Sequence, residues 1–239
     1  MKSKHIVTAV ILVAVVVISA LLVPLTPTQA FNTPPASATN LHLPQPSGLD
    51  NFRPDRVYDN SFWDVTQNDW FFESVRNAFS LSLMDGKENG FDPLGHVTIA
   101  EALAMSCRLH NIYHGGDGQF TQGQVWWQVY VDYARENDIY IPAGYSDYST
   151  AQCSRADFVM ILASAFPPEA LAPINSILSI PDVSLTSIYS AAAYLLYNAG
   201  ILDGDETGAF QPGSEITRCE AAAILSRLAM TSLRIQNAD

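Results

Sequence analysis

Three stretches of this chain share one short pattern, in which a hydroxyl residue is followed three positions later by an acid and then by an apolar run. The stretches are Thr98-Ile99-Ala100-Glu101, Ser154-Arg155-Ala156-Asp157 and Thr217-Arg218-Cys219-Glu220. The pattern is that of a capping box: the hydroxyl accepts a hydrogen bond from the third N–H of a helix, and the acid accepts one from the N–H of the capping residue. Since the starts lie 56 and 63 residues apart, the chain is predicted to contain three copies of a unit of about 60 residues.

The first and third copies share further landmarks at a nearly constant spacing of 118 or 119 residues. The pairs are Phe62-Trp63-Asp64-Val65 with Ile180-Pro181-Asp182-Val183, Trp70 with Tyr189, Asp85-Gly86 with Asp203-Gly204, Phe91-Asp92-Pro93 with Phe210-Gln211-Pro212, and Arg108-Leu109 with Arg227-Leu228. The middle copy keeps aromatic residues at Trp126, Trp127 and Tyr130 but lacks the Asp-Gly and Phe-x-Pro landmarks. It is therefore the degenerate member of the set.

Each copy is predicted to hold a helix, a loop and a second helix. Apolar residues recur at helical spacing from Trp70 and from Tyr189, which indicates first helices. The second helices are predicted over 99–110, 155–166 and 218–230, directly behind the caps. Their apolar stripes can meet in a central bundle, so the fold class is mainly α, with three helix-loop-helix units around a common core.

The first 30 residues have the composition of a targeting segment. Lys2 and Lys4 precede an apolar-rich run over 6–23, and small residues follow near Ala30. This pattern is typical of a secretory signal peptide, but a run of 18 residues also reaches the lower limit of a membrane span. A cleaved signal peptide and an uncleaved N-terminal membrane anchor are both open alternatives for 1–30.

The next segment, 31–57, is rich in Pro, Asn, Ser and Thr and has no sustained apolar period, as is typical of a flexible linker. The three copies and a short tail follow it. Their ranges are 58–114, 115–170, 171–232 and 233–239. Because each copy is too small to bury a core alone, the three are expected to form one compact domain with no room for a separate catalytic domain.

The net charge restricts the classes of partner that this chain could bind. The formal net charge is −12, and cleavage after 30 would remove two lysines and no acid, giving −14. Such a chain is a poor match for phosphate-rich nucleic acid, which needs basic patches. The three cysteines, Cys107, Cys153 and Cys219, match no zinc spacing and are interpreted as small buried thiols, with one disulfide plus a free cysteine as the alternative.

Taken together, these landmarks resemble the S-layer homology domain. Its hallmarks are an aromatic-x-Asp-Val opening, a Trp-led helix, an Asp-Gly loop with Phe-x-Pro, and a closing Thr-Arg-Ala-Glu at the second helix. The resemblance covers roughly 61–230 and in the middle copy rests mainly on Ser154-Arg155-Ala156-Asp157. It implies a three-pronged, pseudo-threefold bundle that anchors proteins noncovalently to secondary cell-wall polymers of bacteria, which often carry pyruvyl ketals and hence carboxylates.

The physical properties of the motif agree with an anionic ligand. A helix N-terminus offers N–H groups and a partial positive charge, and an Arg at the first helical position adds a planar fork that suits a carboxylate. Arg155 and Arg218 hold that position, whereas the first copy has Ile99. We therefore expect two competent sites at most, with both guanidinium groups accessible to water.

The remaining candidate residues have a structural role to weigh beside binding. The caps and their acids, Ser154 with Asp157 and Thr217 with Glu220, stabilise helices whether or not a ligand is bound. The aromatic candidates for stacking on sugar rings are Trp70, Trp126, Trp127 and Tyr189, which could equally be core residues. Because neighbours on a helix do not share a face, one of Trp126 and Trp127 should point away from the core and is the better sugar candidate.

Catalytic and metal sites find no support in the pattern. The run from Asp203 to Gly208 imitates the start of a calcium loop, but its twelfth position is Ser214 instead of Glu. The histidines have no metal-binding spacing, and no pair of carboxylates stands out for glycoside hydrolysis. We expect no enzyme activity, no metal and no cofactor.

The sequence thus predicts a secreted module that binds an anionic, pyruvylated secondary cell-wall polysaccharide at the cell surface. Any membrane contact is expected only through 6–23. The alternative function is a structural or protein-interaction scaffold of the cell envelope that has lost glycan binding. The oligomeric state is left open by the sequence.

Overall fold

The computed structural model describes residues 48–88 and 90–237, and the predicted signal segment 1–30 and the linker up to residue 47 lie outside this range. Within the described part the chain is helical, with isolated bridges and no extended strand. The six α-helices are α1 (Phe72–Ser80), α2 (Ile99–Tyr113), α3 (Gln128–Glu136), α4 (Arg155–Ser164), α5 (Ser190–Asn198) and α6 (Arg218–Ala229). Each copy supplies two of them, which confirms the prediction of a mainly α fold.

The three predicted caps stand directly before the second helices α2, α4 and α6. Thr98 forms both halves of its capping box with Glu101. The Ser154 hydroxyl accepts the N–H of Asp157 at 3.0 Å. Both the N–H and the hydroxyl of Thr217 donate to the Glu220 carboxylate. A hydroxyl at the cap and an acid three residues later therefore define all three helix starts.

The segments just before the second helices meet in a closed ring of backbone hydrogen bonds. Val97 N–H donates to Ile216 O at 3.0 Å, Ile216 N–H to Cys153 O at 3.1 Å, and Cys153 N–H to Val97 O at 2.8 Å. All three side chains are buried. This ring is the axis of the pseudo-threefold arrangement, and the second helices start around it.

Each prong of the fold is built from two different copies. The first helix of one copy packs on the second helix of the preceding copy, so that α3 packs on α2 and α5 on α4. The circle closes when α1 packs on α6. A single continuous apolar core joins the prongs, because no pair of helices could bury its apolar faces alone.

Packed structure begins earlier in the chain than we expected. Leu49 is buried, the Asn51 side-chain amide donates to Tyr113 O at 2.9 Å, and the Phe52 ring contacts Phe166. The part of the predicted linker from residue 48 onward thus lies against the helical bundle. The beginning of the predicted tail is also bound, since Ile235 N–H donates to Gly200 O at 2.8 Å.

The three cysteines are free and buried, as the preferred interpretation predicted. Burial raises the pKa of the Cys107 thiol to about 12, so it stays protonated at neutral pH. In the described part of the chain, no helix has the length and apolar character needed to cross a bilayer. The run 6–23 lies outside that part.

Candidate functional site

The start of each second helix is already saturated by its neighbours. The first N–H of the helix donates to a loop of the next copy: Ile99 to Ala151 O at 2.9 Å, Arg155 to Ser214 O at 2.8 Å and Arg218 to Gly95 O at 2.9 Å. The second N–H of each helix does the same. Our expectation that open helix N–H groups would receive an anion is therefore wrong, because these donors hold the copies together.

The two motif arginines cross from one copy to the next. Arg155, from the middle copy, donates from Nε to Phe210 O at 2.8 Å and from Nη1 to Glu220 Oε1 at 2.9 Å. Arg218, from the third copy, donates from Nε to Phe91 O at 2.8 Å. The two arginines therefore occupy equivalent places in the third and the first copy.

The repeated loop landmarks explain how these arginines are held. The Asp64 carboxylate accepts the N–H groups of Phe91 and Asp92 at 2.8 and 2.7 Å. Asp92 takes a left-handed φ of 58°, which turns the loop. The Asp of the aromatic-x-Asp-Val segment thus shapes the Phe-x-Pro loop, whose Phe91 carbonyl receives Arg218.

The same arrangement recurs in the third copy. Asp182 accepts the N–H groups of Phe210 and Gln211, and Gln211 has a φ of 57°. The Phe210 carbonyl then receives Arg155. Two landmarks that are far apart in the sequence therefore serve one function, which is to fix the arginine of the preceding copy.

Both guanidinium groups are more enclosed than we expected. The Arg155 side chain is 14% exposed and the Arg218 side chain 4%. Burial lowers the pKa of Arg218 despite the opposing charge of Glu101, whose Oε1 lies 3.5 Å from Nη1, and of other nearby carboxylates. The expectation that both groups project freely into water is wrong, most clearly for Arg218.

Each arginine nevertheless lines a surface groove. The groove at Arg155 measures about 290 Å³ and the groove at Arg218 about 210 Å³. The first, the Arg155 groove, is lined by Trp70, Arg155, Leu202, Asp203, Gly204, Glu220, Ala223, Ile224 and Arg227. The second, the Arg218 groove, is lined by Leu83, Met84, Asp85, Gly86, Lys87, Glu101, Ala104, Met105, Arg108, Gln122, Trp126 and Arg218.

The two grooves are copies of each other, and each is assembled from all three units of the chain. The corresponding pairs are Asp203 with Asp85, Gly204 with Gly86, Glu220 with Glu101, Ala223 with Ala104, Ile224 with Met105, and Arg227 with Arg108. One unit supplies these residues, the preceding unit supplies the motif arginine, and the following unit supplies a tryptophan. The sequence repeat thus produces two equivalent grooves.

Sequence reasoning missed a second arginine in each groove. Arg227 Nη1 lies 3.5 Å from Asp203 Oδ1, and Arg108 Nη1 lies 2.9 Å from Asp85 Oδ2. Burial alone would raise the pKa of Asp85, but the hydrogen bonds and charges of Arg56 and Arg108 outweigh it and lower the pKa. The signal was present in the repeated Arg-Leu pair, which we used only as a landmark.

The aromatic candidates separate into two groups. Trp70 is 67% exposed and Trp126 36% exposed, and both stand two residues before a first helix on the wall of a groove. Trp127 and Tyr189 are half-buried helix caps packed against the core. The prediction that one of Trp126 and Trp127 points outward is confirmed.

The structure also corrects one pairing within the repeat. Tyr189 caps its helix, and the residue with that place in the first copy is Phe71, at a spacing of 118. The counterpart of Trp70 is therefore Ile188 instead of Tyr189. This change of one residue matters because Ile188 cannot offer the ring that Trp70 presents.

The third equivalent position differs from both grooves. Ile99 stands at the motif-arginine position and is fully buried, facing the middle copy. There the acid Asp157 accepts a hydrogen bond from the Tyr145 hydroxyl at 2.9 Å. Burial, and then this bond to Asp157, raises the pKa of Tyr145 to about 12. A tyrosine of the middle copy thus pairs with the acid, as an arginine does elsewhere.

Two further replacements complete the difference at this third position. Helix register places Ser164 where Arg108 and Arg227 stand, and its hydroxyl accepts the N–H of Tyr140 at 2.8 Å. Ile188 takes the place of the tryptophan. We expected Ile99 to deprive the first copy of a site. Because the motif residue of each copy reaches the loop of the next copy, Ile99 instead deprives the loop of the middle copy of an arginine, and the loop of the first copy receives Arg218.

Comparison with known proteins agrees with this division. Two segments of the chain, 61–103 and 179–222, match the model of the S-layer homology domain. They belong to the first and third copies, whose loops build the two grooves, whereas the middle copy lies between them. None of the curated proteins matches the chain. The S-layer homology domain is a cell-wall anchoring module of the cell surface, and the two matched segments are what this chain shares with it.

Proposed function

We propose that this protein anchors noncovalently to the bacterial cell wall by binding an anionic, pyruvylated secondary cell-wall polysaccharide in the Arg155 and Arg218 grooves. The observation that supports the proposal is the duplication of one set of side chains. Two arginines, two acids, an alanine and a tryptophan meet twice, each time from three separate units. Core packing alone requires no such duplication at a surface groove.

The chemistry of each groove suits a charged sugar. Among the described residues, Nη2 of Arg155 forms no hydrogen bond, so the guanidinium retains a donor for a carboxylate. Asp203 and Glu220 can accept hydrogen bonds from sugar hydroxyls, and Ala223 leaves room on the groove floor. Trp70 offers an exposed ring for the apolar face of a sugar. A cavity of this size is at the small end for ligand sites, which fits one sugar residue.

The two grooves differ in charge within a strongly acidic protein. The Arg155 groove holds Arg155 and Arg227 against two acids, and the Arg218 groove adds Lys87 to an otherwise equal set. The Arg218 groove therefore carries one extra cation, whose charge is partly offset by Asp92 and Glu101 at 3.4 and 3.7 Å. In this proposal, the chain reaches the wall by secretion, with 1–30 as signal peptide or anchor.

The test is a binding assay with purified pyruvylated wall polymer and with the same polymer after removal of its pyruvyl groups. We expect the natural chain to bind only the pyruvylated form. The combined Trp70→Ala and Trp126→Ala variant should lose most of the binding, because each ring lies on the wall of a groove and touches the core only through an edge contact with Phe71 or Tyr130. Val57→Ala, another change of an exposed apolar residue, is the matched control and should bind normally. Equal binding of both polymers would refute the proposal.

A second candidate function is the envelope scaffold without glycan binding. One observation favours it: Leu178, Leu185 and Ile188 are all strongly exposed on the third copy, in the segment that leads into α5. A contiguous apolar patch on the surface is typical of a protein contact, and this second function requires the three side chains to act as one patch. This alternative would be supported if the chain bound neither polymer but bound wall sacs only while their proteins were present.

A further inference from the structure

Arg56 lies in the part of the predicted linker that packs against the bundle, and its side chain contacts the edge of the Arg218 groove. It donates from Nη1 to Asp85 Oδ1 at 2.7 Å, from Nη2 to Met84 O at 3.1 Å and from Nε to Phe79 O at 3.0 Å. The guanidinium carbon also lies 4.0 Å from the centre of the Phe79 ring. One arginine from outside the three predicted units is therefore fixed against the loop that follows α1.

Asp85 connects Arg56 to the two arginines of the groove. Its Oδ2 accepts a hydrogen bond from Arg108 Nη1 at 2.9 Å, and its backbone carbonyl accepts one from Arg218 Nη2 at 2.7 Å. Because Arg56 takes Oδ1, each carboxylate oxygen of Asp85 is paired with an arginine. The guanidinium groups of Arg108 and Arg218 are thus held in one geometry before a ligand arrives, which lowers the ordering cost of binding.

Backbone hydrogen bonds identify Asn175 as the residue of the third copy that corresponds to Arg56. The N–H of Arg56 donates to the last carbonyl of α1, and the N–H of Asn175 donates to the last carbonyl of α5. The side chains also correspond, since Asn175 Nδ2 donates to Tyr197 O at 3.2 Å, as Arg56 Nε does to the equivalent carbonyl of the first copy. The two grooves therefore differ at this position by an arginine and a shorter, uncharged asparagine.

The shorter side chain leaves Asp203 less constrained than Asp85. The second hydrogen bond of the Asn175 amide goes to Ile235 O, at 2.9 Å. Among the described residues, the Asp203 carboxylate contacts a single arginine, Arg227, at 3.5 Å. The same acid is thus held by two arginines in one groove and by one in the other.

The motif arginines differ in the same direction. Arg218 Nη2 donates to Asp85 O, whereas Arg155 Nη2 forms no hydrogen bond within the described part of the chain. Arg56 also donates to the neighbouring carbonyl of Met84, so it fixes the backbone at the residue that receives Arg218. The groove with the additional arginine is therefore the groove with the more fully bonded guanidinium.

The contribution of Arg56 should lie in orientation more than in charge attraction. Arg56 and Asp85 are both partly exposed, and ion pairs of such exposure contribute little by themselves because water screens them. The two carbonyls and the Phe79 ring fix the guanidinium independently of that attraction. We therefore expect loss of Arg56 to affect ligand affinity in one groove selectively.

We propose that Arg56 is a positioning residue, which holds Asp85 and thereby keeps the Arg218 groove in its binding geometry. The inference rests on the proposed function and extends it to a segment that precedes the first unit. It makes binding in this groove depend on the attachment of 48–58 to the bundle, whereas the Arg155 groove does not depend on that segment.

The experiment measures the binding of purified pyruvylated wall polymer by calorimetry in two parent chains. The Arg155→Gln parent reports on the Arg218 groove, because the other groove has lost its arginine. In the Trp126→Ala parent the Arg155 groove dominates binding. We expect Arg56→Gln to weaken binding about tenfold in the first parent and to leave it within about twofold in the second.

Two further measurements distinguish positioning from a general structural role. Arg56→Lys keeps the charge but not the planar fork, so it should restore part of the affinity in the Arg155→Gln parent. When that parent also carries Asp85→Asn, Arg56→Gln should change binding by no more than about twofold, because Arg56 acts through Asp85. A general loosening of the fold would instead weaken both parents alike and would persist without Asp85.

The matched control is Arg53→Gln, which changes an arginine of the same segment whose Nε donates to Asp50 O. It should keep full binding in both parents, and circular dichroism confirms that each variant is folded at the temperature of the assay. An unchanged affinity with Arg56→Gln in the Arg155→Gln parent, or an equal loss in both parents, would overturn this inference alone. Failure of the natural chain to bind the pyruvylated polymer would overturn the proposed function as well.

Discussion

The two grooves and the third equivalent position differ because the units exchange residues. The Arg155 and Arg218 grooves each combine side chains of all three copies, whereas the position at Ile99 has lost both arginines and the tryptophan. The middle copy is degenerate only at the positions that would line a groove beside its own loop. It still supplies Arg155 to one groove and Trp126 to the other.

This comparison changes how a degenerate repeat should be assessed. A copy with few landmarks is usually interpreted as a copy without function. Here two residues that the middle copy retains, Arg155 and Trp126, line the grooves of its neighbours, whereas the residues that it has lost are those of its own loop. The following predictions test this difference, beginning with the largest expected effect.

Restoring one arginine should not create a third groove. Ile99 is fully buried, and its acid partner Asp157 is already bound to Tyr145. We expect Ile99→Arg to lower the free energy of unfolding by about 4 kcal/mol, because a buried charge is left without a partner. Urea denaturation measures this change. An unchanged midpoint with added polymer binding would show that the third position needs only its arginine.

The two motif arginines should differ in how much each contributes to the free energy of unfolding. Arg218 is the more deeply buried and donates to Phe91 O and Asp85 O, so Arg218→Ala should lower the free energy of unfolding by about 3 kcal/mol. Arg155→Ala should lower it by about 1 kcal/mol, because its side chain is more exposed. Denaturation of the two variants side by side gives the comparison. Equal losses of unfolding free energy would mean that the deeper burial of Arg218 does not give it a larger role in stability than Arg155.

The tryptophans should act on binding and not on stability. With Arg155→Gln as the parent, Trp126→Ala should weaken polymer binding about tenfold through the loss of one stacking ring, while Trp70→Ala should have no further effect. Both variants should unfold within about 1 kcal/mol of the parent, since each ring loses only one edge contact, with Phe71 or with Tyr130. A loss of binding with Trp70→Ala in this parent would contradict the assignment of one tryptophan to each groove.

The helix caps should have the same effect at all three positions. Thr98→Ala, Ser154→Ala and Thr217→Ala are each expected to cost about 1 kcal/mol of stability, because each hydroxyl caps a helix whether or not a groove adjoins it. Polymer binding at a temperature well below unfolding should remain unchanged. A selective loss of binding with Ser154→Ala or Thr217→Ala would instead give the cap a direct role in binding.

The smallest effect concerns acid sensitivity at the Arg218 groove. The folded pKa of Asp85 is lowered, so its ionised form stabilises the fold above its unfolded pKa of about 3.9, and this contribution is lost as the pH falls through the lower folded pKa. Asp85→Asn should therefore reduce the decline in unfolding free energy below about pH 4. Denaturation curves between pH 2 and 7 would measure it. An identical acid limb in the variant would exclude this role.

Much of the fold could be predicted from the sequence because its determinants are local. The capping residues Thr98, Ser154 and Thr217 define three helix starts whatever the rest of the chain does. The constant spacing of landmarks similarly revealed the repeat. What could not be predicted was the exchange between copies, since nothing near Arg218 in the sequence shows that it contacts Phe91, 127 residues away.

The candidate site was predicted less completely for the same reason. Arg155 and Arg218 were found from their place in the motif, but their enclosure depends on loops of another copy. Arg108 and Arg227 were seen as landmarks and not as groove walls. Their role became clear only when the fold placed them beside Asp85 and Asp203.

The closed ring of Val97, Cys153 and Ile216 also limits how such a chain can change over generations. Excision of any one unit would remove two of the three backbone hydrogen bonds of the ring and would uncover the apolar face of a prong, so a shortened two-unit form should not be viable. A unit that no longer has a ligand of its own must then be retained as scaffold. Substitutions can therefore remove one groove during evolution while the number of units stays at three.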